Sequence, residues 1–181
     1  GVNARAWLNR IMAGRIPKIG RISLTPMLSP KGKLLGDFTV SCLGDETFVL
    51  TASYGAQAQH MRWFLQHQED GVSLENISDK VTGFSIAGPN ARDLLKACTR
   101  DDADLKFLDV REMTIGQTAC VVNRVSYTGD LGYEIYCNPM DQRALWTTLW
   151  THGQPMGLSL FGMRAIMSLR LDRFFGSWMR E

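Results

Sequence analysis

The chain of 181 residues predicts an α+β fold made of two related halves. Two observations carry that expectation. The stretches Gly1-Val-Asn-Ala-Arg-Ala-Trp-Leu8 and Gly88-Pro-Asn-Ala-Arg-Asp-Leu-Leu95 agree at Gly, Asn, Ala, Arg and the final Leu, the mark of an internal repeat. Between and after them, segments with period-two alternation are interspersed with segments of helical period over short connections, which argues mixed sheet and helix.

The elements follow in order. The first repeat opens a helix with Ala4, Trp7, Leu8 and Ile11 on one stripe. Strands are read near Arg21 to Met27, Leu34 to Leu43 and Thr47 to Thr51, separated by a turn at Lys31-Gly32-Lys33. A helix from about Ala56 to Gln68 carries Ala58, Met61 and Leu65, and Glu69 to Ser78 reads as surface. A short strand, Gly83 to Ala87, leads into the second repeat, whose helix has Pro89 in its first turn and Ala91, Leu94, Leu95 and Cys98 on its stripe. Two strands then flank Tyr127 to Glu134: an upstream run with Val121, Val122, Val125 and Tyr127, and a downstream run in which Leu131, Tyr133, Ile135 and Cys137 alternate. Alternation puts Glu134 and Tyr136 on the face opposite that apolar row. Gly129 and Gly132 suit positive φ, so a tight hairpin is expected between the two strands. Helices near Asp141 to Trp150 and Phe161 to Leu171 complete two lobes, about 1–80 and 81–181. The first repeat lacks the leading strand of the second and begins without Met, so the chain is expected to be a portion of a longer protein.

Composition narrows the function. A net charge of +2, with scattered Lys and Arg, offers no basic stripe for nucleic acid or an anionic membrane. No apolar run reaches the roughly 18 residues of a membrane span. Cys42, Cys98, Cys120 and Cys137 form no CxxC pair and have no ligand-like spacing with the three His, so they read as small core residues of a reducing compartment, with no metal site. His60 and His67, seven apart on one helix, read as surface or capping residues. No Gly-rich dinucleotide fingerprint, phosphate loop or nucleophile elbow is present.

Three residues stand out chemically. Asp37 lies in a strand whose Phe38, Val40 and Cys42 form one face while Asp37, Thr39 and Ser41 form the other; the pattern alone makes that polar face solvated. Its place after a Gly-containing loop, late in the first half, parallels that of Glu134 in the second. Arg164 sits in an otherwise apolar helix beside Gly162, where a guanidinium normally meets a carboxylate of the protein or of a ligand. Arg170, further along, reads as a snorkelling surface cation.

Taken together, Arg21-Ile-Ser-Leu-Thr-Pro-Met-Leu28, Gly36-Asp-Phe-Thr-Val40, His60-Met-Arg-Trp-Phe64, Phe84-Ser-Ile-Ala-Gly-Pro89, the Tyr127 to Glu134 run, Gly162-Met-Arg-Ala165 and Ser168-Leu-Arg-Leu-Asp172 resemble the aminomethyltransferase family. The resemblance spans nearly the whole chain. It is closest to the folate-binding portion of dimethylglycine and sarcosine dehydrogenases or oxidases. It implies the glycine-cleavage T-protein fold, two pseudo-repeated lobes around a central cavity. It further implies a tetrahydrofolate-binding domain that captures the one-carbon unit from flavin-dependent oxidation of dimethylglycine or sarcosine, giving 5,10-methylenetetrahydrofolate. FAD would then belong to an upstream domain. Asp37 resembles the acid that holds the reactive folate nitrogen and manages its proton, Glu134 the acceptor for the pterin edge, Tyr127 the ring that flanks the pterin or closes the central cavity, and Arg164 the cation near the folate and its acids. Alternatives are a free-standing folate-dependent demethylase or aminomethyltransferase, or a non-catalytic folate-binding module. A cytoplasmic location, or the mitochondrial matrix in a eukaryote, is implied. The chain departs from the family pattern at Leu24, where a Tyr is usual, at Gly36, where many members have Asp, and at Asp130, where Glu is usual.

Overall fold

The computed structural model describes residues 1–178. The chain divides into two compact units, Gly1–Ser78 joined by Ser177 and Trp178, and Asp79–Gly176. The fold is mixed α+β with two sheets.

In the first unit, α1 (Ala4–Ile11) is followed by β1 (Ile22–Leu28), β2 (Leu34–Cys42) and β3 (Phe48–Thr51), an antiparallel meander in that order, and by α2 (Gln57–Gln66). The alternation of β2 holds in part: Phe38, Val40 and Cys42 are buried and Asp37 is exposed, but Thr39 is half-buried and Ser41, read as part of the solvated face, is buried. Trp7 and Leu8 of α1, Phe64 of α2 and Phe38 and Val40 of β2 share one core. The Trp7 and Phe64 rings meet edge-on at 5.7 Å, and the indole N–H of Trp7 donates to the His67 carbonyl at 2.6 Å. This aromatic packing holds both helices on one face of the sheet and leaves Asp37 on the other.

In the second unit the order is β4 (Thr82–Ala87), α3 (Ala91–Cys98), β5 (Val110–Ile115), β6 (Thr118–Asn123), β7 (Gly132–Cys137), α4 (Gln142–Gly153) and α5 (Met163–Leu169). The sheet runs β4-β7-β6-β5, antiparallel throughout. Leu94 and Leu95 of α3 and Leu145 and Leu149 of α4 pack on Met113, Ile115, Val122, Tyr133 and Ile135. All four cysteines are free and buried. Burial pushes the Cys120 thiol up to about 12, against a backbone hydrogen bond that opposes the rise.

The repeat extends beyond its sequence motif. Helix α1, the β1-β2-β3 meander and α2 match α3, β5-β6-β7 and α4 in order and pairing. The polar ties repeat as well: Asn3 Nδ2 donates to the Asp70 carbonyl and Asn90 Nδ2 to the Met156 carbonyl, at 2.8 and 3.1 Å. Arg5 reaches the Pro17 carbonyl, and Arg92 pairs with Asp104, each twelve residues on.

Several expectations change. Strand β5 escapes the sequence reading because Arg111 and Glu112 interrupt its apolar alternation. The tight hairpin is instead an eight-residue connection, 124–131, since β6 ends at Asn123 and β7 begins only at Gly132. Gly129 does take positive φ, at 76°, but Gly132 does not: it lies in β7 where a Cβ would stand 2.6 Å from the Ile86 carbonyl oxygen. Asp37 and Glu134 are not repeat counterparts, because β2 corresponds to β6 and Glu134 lies on β7. The last helix is shorter than read, with a 3-10 turn over Arg170–Arg173.

Candidate functional site

Glu134 is set by β7, an interior strand between β4 and β6. Tyr133, Ile135 and Cys137 face the core, so Glu134 and Tyr136 project from the opposite face, half-buried. Across the sheet Glu134 stands opposite Ser85 on β4 and Asn123 on β6. The Tyr136 hydroxyl donates to Glu134 Oε2 at 2.6 Å. Burial raises the Glu134 pKa above its ordinary 4.5, and the Tyr136 hydrogen bond opposes that rise. No ion pair joins Glu134 to a cation among the described residues. An ionised carboxylate has about four lone-pair sites, and the phenol uses one. What the arrangement can do is accept N–H donors in a partly dry setting.

Asn123, only 2% exposed, is a polar residue of this face that the sequence reading passed over. The signal available was the polar end of the Val121-Val-Asn123 run, which points the same way as Glu134 once the strands are in register.

Tyr127 lies in the 124–131 connection, partly exposed, and its hydroxyl donates to the Gly176 carbonyl at 2.9 Å. That connection is a built turn. Ser126 and Thr128 hydroxyls bond each other at 2.9 Å, Gly129 N–H donates to the Ser126 carbonyl, and Arg173 reaches Asp130 at 3.1 Å. Arg164 is exposed on α5 and makes no ion pair among the described residues, because Met163, Leu169 and their neighbours are exposed too and the apolar run is no core. Arg170 is the buried arginine instead, at 5% exposure, donating to the Phe175 carbonyl rather than snorkelling.

In the first unit Asp37 is exposed on β2, opposite Pro26 of β1, with no hydrogen bond or ion pair among the described residues. Leu24, opposite Thr39, is on the same face and 56% exposed. Tyr127, Glu134 and Arg164 thus belong to the second unit and Asp37 to the first; within the second unit none of the three bonds another among the described residues. His60 is not the surface or capping residue expected from its spacing: it is 4% exposed, with Nε2 at 3.1 Å from the Leu35 carbonyl and the ring 4.7 Å from Phe38 and 5.1 Å from Trp178. The helix turns it inward with Phe64, one turn on. Burial lowers its pKa, against the Leu35 hydrogen bond. No described helix is long and apolar enough to cross a membrane.

Comparison with known proteins gives a consistent result. The family model described as the GCVT N-terminal domain matches residues 1–181. Dimethylglycine dehydrogenase, mitochondrial, of Homo sapiens is 33% identical over the whole chain, which covers 22% of that protein. An aminomethyltransferase of Halothermothrix orenii is 27% identical over 96% of the chain and 49% of its own length. The chain therefore spans about a fifth to a half of the relatives it matches. In structure, the glycine cleavage system aminomethyltransferase T of Bartonella henselae superposes on 97% of the chain and 47% of its own, with a TM-score of 0.81 at 23% identity, which shows the fold. The heterotetrameric sarcosine oxidase of Corynebacterium sp. U-96 covers 90% of the chain and 78% of its own at a TM-score of 0.66 and 14% identity.

Proposed function

The chain belongs to the GCVT N-terminal domain family, and on that premise we propose that it binds tetrahydrofolate and captures a one-carbon unit released by flavin-dependent oxidation of dimethylglycine or sarcosine. The observation that carries the folate half is Glu134: a half-buried carboxylate with no cation partner among the described residues and lone pairs to spare, suited to the paired N–H groups of an aminopterin edge. The dehydrogenase assignment is favoured over an aminomethyltransferase by identity, 33% against 27%.

Tetrahydrofolate, when bound, supplies the amines that take up the one-carbon unit to give 5,10-methylenetetrahydrofolate. Glu134 holds the ring edge and so fixes its register. Tyr127 flanks the flat heterocycle, and Arg164 neutralises folate's negative charge. Asp37 accepts the proton from the reacting amine, a general-base role open to a solvated carboxylate. Holding the nucleophile beside the electrophile replaces a bimolecular encounter. FAD is assigned to parts of the protein outside these residues.

The test is calorimetric titration of tetrahydrofolate into the complete protein, paired with an assay of formaldehyde released during turnover. Glu134→Ala is expected to weaken binding by about tenfold or more, the worth of a hydrogen bond to a charged group. Asp37→Ala is expected to keep binding while formaldehyde escapes uncaptured. Absence of tetrahydrofolate binding by the wild type overturns the reading.

A further inference from the structure

Glu134 and Tyr136 are two residues apart on β7 and so share a face. The 2.6 Å contact from phenol to Oε2 lies in the short range of hydrogen bonds to an ionised acceptor. We propose that Tyr136 is a positioning residue for ligand recognition: its hydroxyl pins one oxygen of Glu134, so that the carboxylate holds one orientation and turns its remaining lone pairs to the ligand's N–H groups. The proposal rests on the folate reading and deepens it.

The surroundings leave this task to Tyr136. On the face carrying Glu134, the register neighbours are Gly83 and Ser85 on β4 and Val121 and Asn123 on β6. Beyond β6 lie Val110, Glu112 and Thr114 of β5, Glu112 exposed and two strands away. Among these, Tyr136 and Glu112 are the titratable groups, and it is the Tyr136 hydroxyl that donates to the Glu134 carboxylate, at 2.6 Å. A glutamate has three side-chain torsions to order, and a single donor that fixes its end removes that disorder before the ligand arrives. The same hydrogen bond favours the ionised form against the burial that disfavours it. Structure alone gives little reason for a carboxylate here, since a neutral glutamine amide oxygen accepts the same phenol without the burial cost.

Tyr136→Phe deletes the hydroxyl and keeps the ring. In the complete protein, the Glu134 carboxyl carbon resonance, assigned by its disappearance in Glu134→Gln, is titrated in wild type and Tyr136→Phe. Its midpoint is expected to move to higher pH in Tyr136→Phe. Tetrahydrofolate affinity is expected to fall about tenfold at neutral pH, with the acid limb of the binding profile displaced the same way. On a Glu134→Gln background the same substitution is expected to cost no pH-dependent affinity. An unchanged Glu134 midpoint, or an affinity loss of the same size at every pH, overturns the positioning role. Tetrahydrofolate affinity indifferent to Glu134→Gln overturns the folate reading, and with it the ligand half of this proposal, while the carboxyl titration still decides the Tyr136 coupling.

Discussion

A half-buried carboxylate with no cation among the described residues to offset it lowers the stability of its own fold. The Glu134 pKa is raised in the native state by burial, so the native protein binds more protons than the unfolded chain and stability falls as pH rises from 4.5 through the raised value. Glu134→Gln is therefore expected to raise the melting temperature at neutral pH and to flatten its decline with pH, read from melts across that range, even as folate recognition is lost. His60 has the opposite sign. Its native pKa is depressed below 6.5 by burial, so the ring's contribution is complete above 6.5 and is lost as pH falls below it; a histidine-detected titration should give a midpoint under 6.5. Gly36 shows why the ring fits. A Cβ there would stand 2.5 Å from His60 Nε2 and 2.7 Å from Phe38, so Gly36→Ala is expected to cost about 1–3 kcal/mol in a denaturant melt. Of these residues Glu134 was legible, because strand alternation alone assigns its face. His60 was not, because a helical period says which residues share a stripe, not whether a carbonyl such as that of Leu35 waits to satisfy a ring turned inward.

Elements repeat more faithfully than residues do. The two Asn that precede α1 and α3 stand where a capping side chain normally accepts from the helix N–H groups, yet neither caps. Each instead donates to a carbonyl distant in sequence, at Asp70 and at Met156. This reverses the usual expectation. Asn→Asp at a helix start is ordinarily neutral or favourable, because the acid accepts and meets the helix dipole. Here the acid cannot donate and would face a carbonyl oxygen, so Asn3→Asp and Asn90→Asp are each expected to destabilise, by about 1 kcal/mol for the lost hydrogen bond, as chemical denaturation would show. The repeat motif was plain in the sequence at these helix starts and was used only there. Extended through the meander, it would have located β5 as the counterpart of β1 despite Arg111 and Glu112, and it would have matched Asp37 on β2 with β6 rather than with Glu134 on β7. The 124–131 connection was misjudged for another reason: glycines mark permissive backbone, but Gly132 is needed for close approach to Ile86 and not for a turn.

At the scale of the whole molecule, each unit carries its own sheet and its own core, and the second is inserted into the first: the chain leaves after Ser78 and comes back at Ser177. The family and fold were readable from the order of short motifs, since many weak signals in fixed sequence constrain one another. The inserted connectivity was not, because nothing local in Ser177 or Trp178 says which core they join. Loop closure is forgiving of such a detour, costing only about 0.6 kcal/mol more for each doubling of length. Time is less forgiving. During synthesis α2 and its His60 leave the ribosome early, whereas Trp178, the ring 5.1 Å from that histidine, emerges only after all of Asp79–Gly176 has been made, so translation of the second unit sets the earliest moment at which the first can be finished.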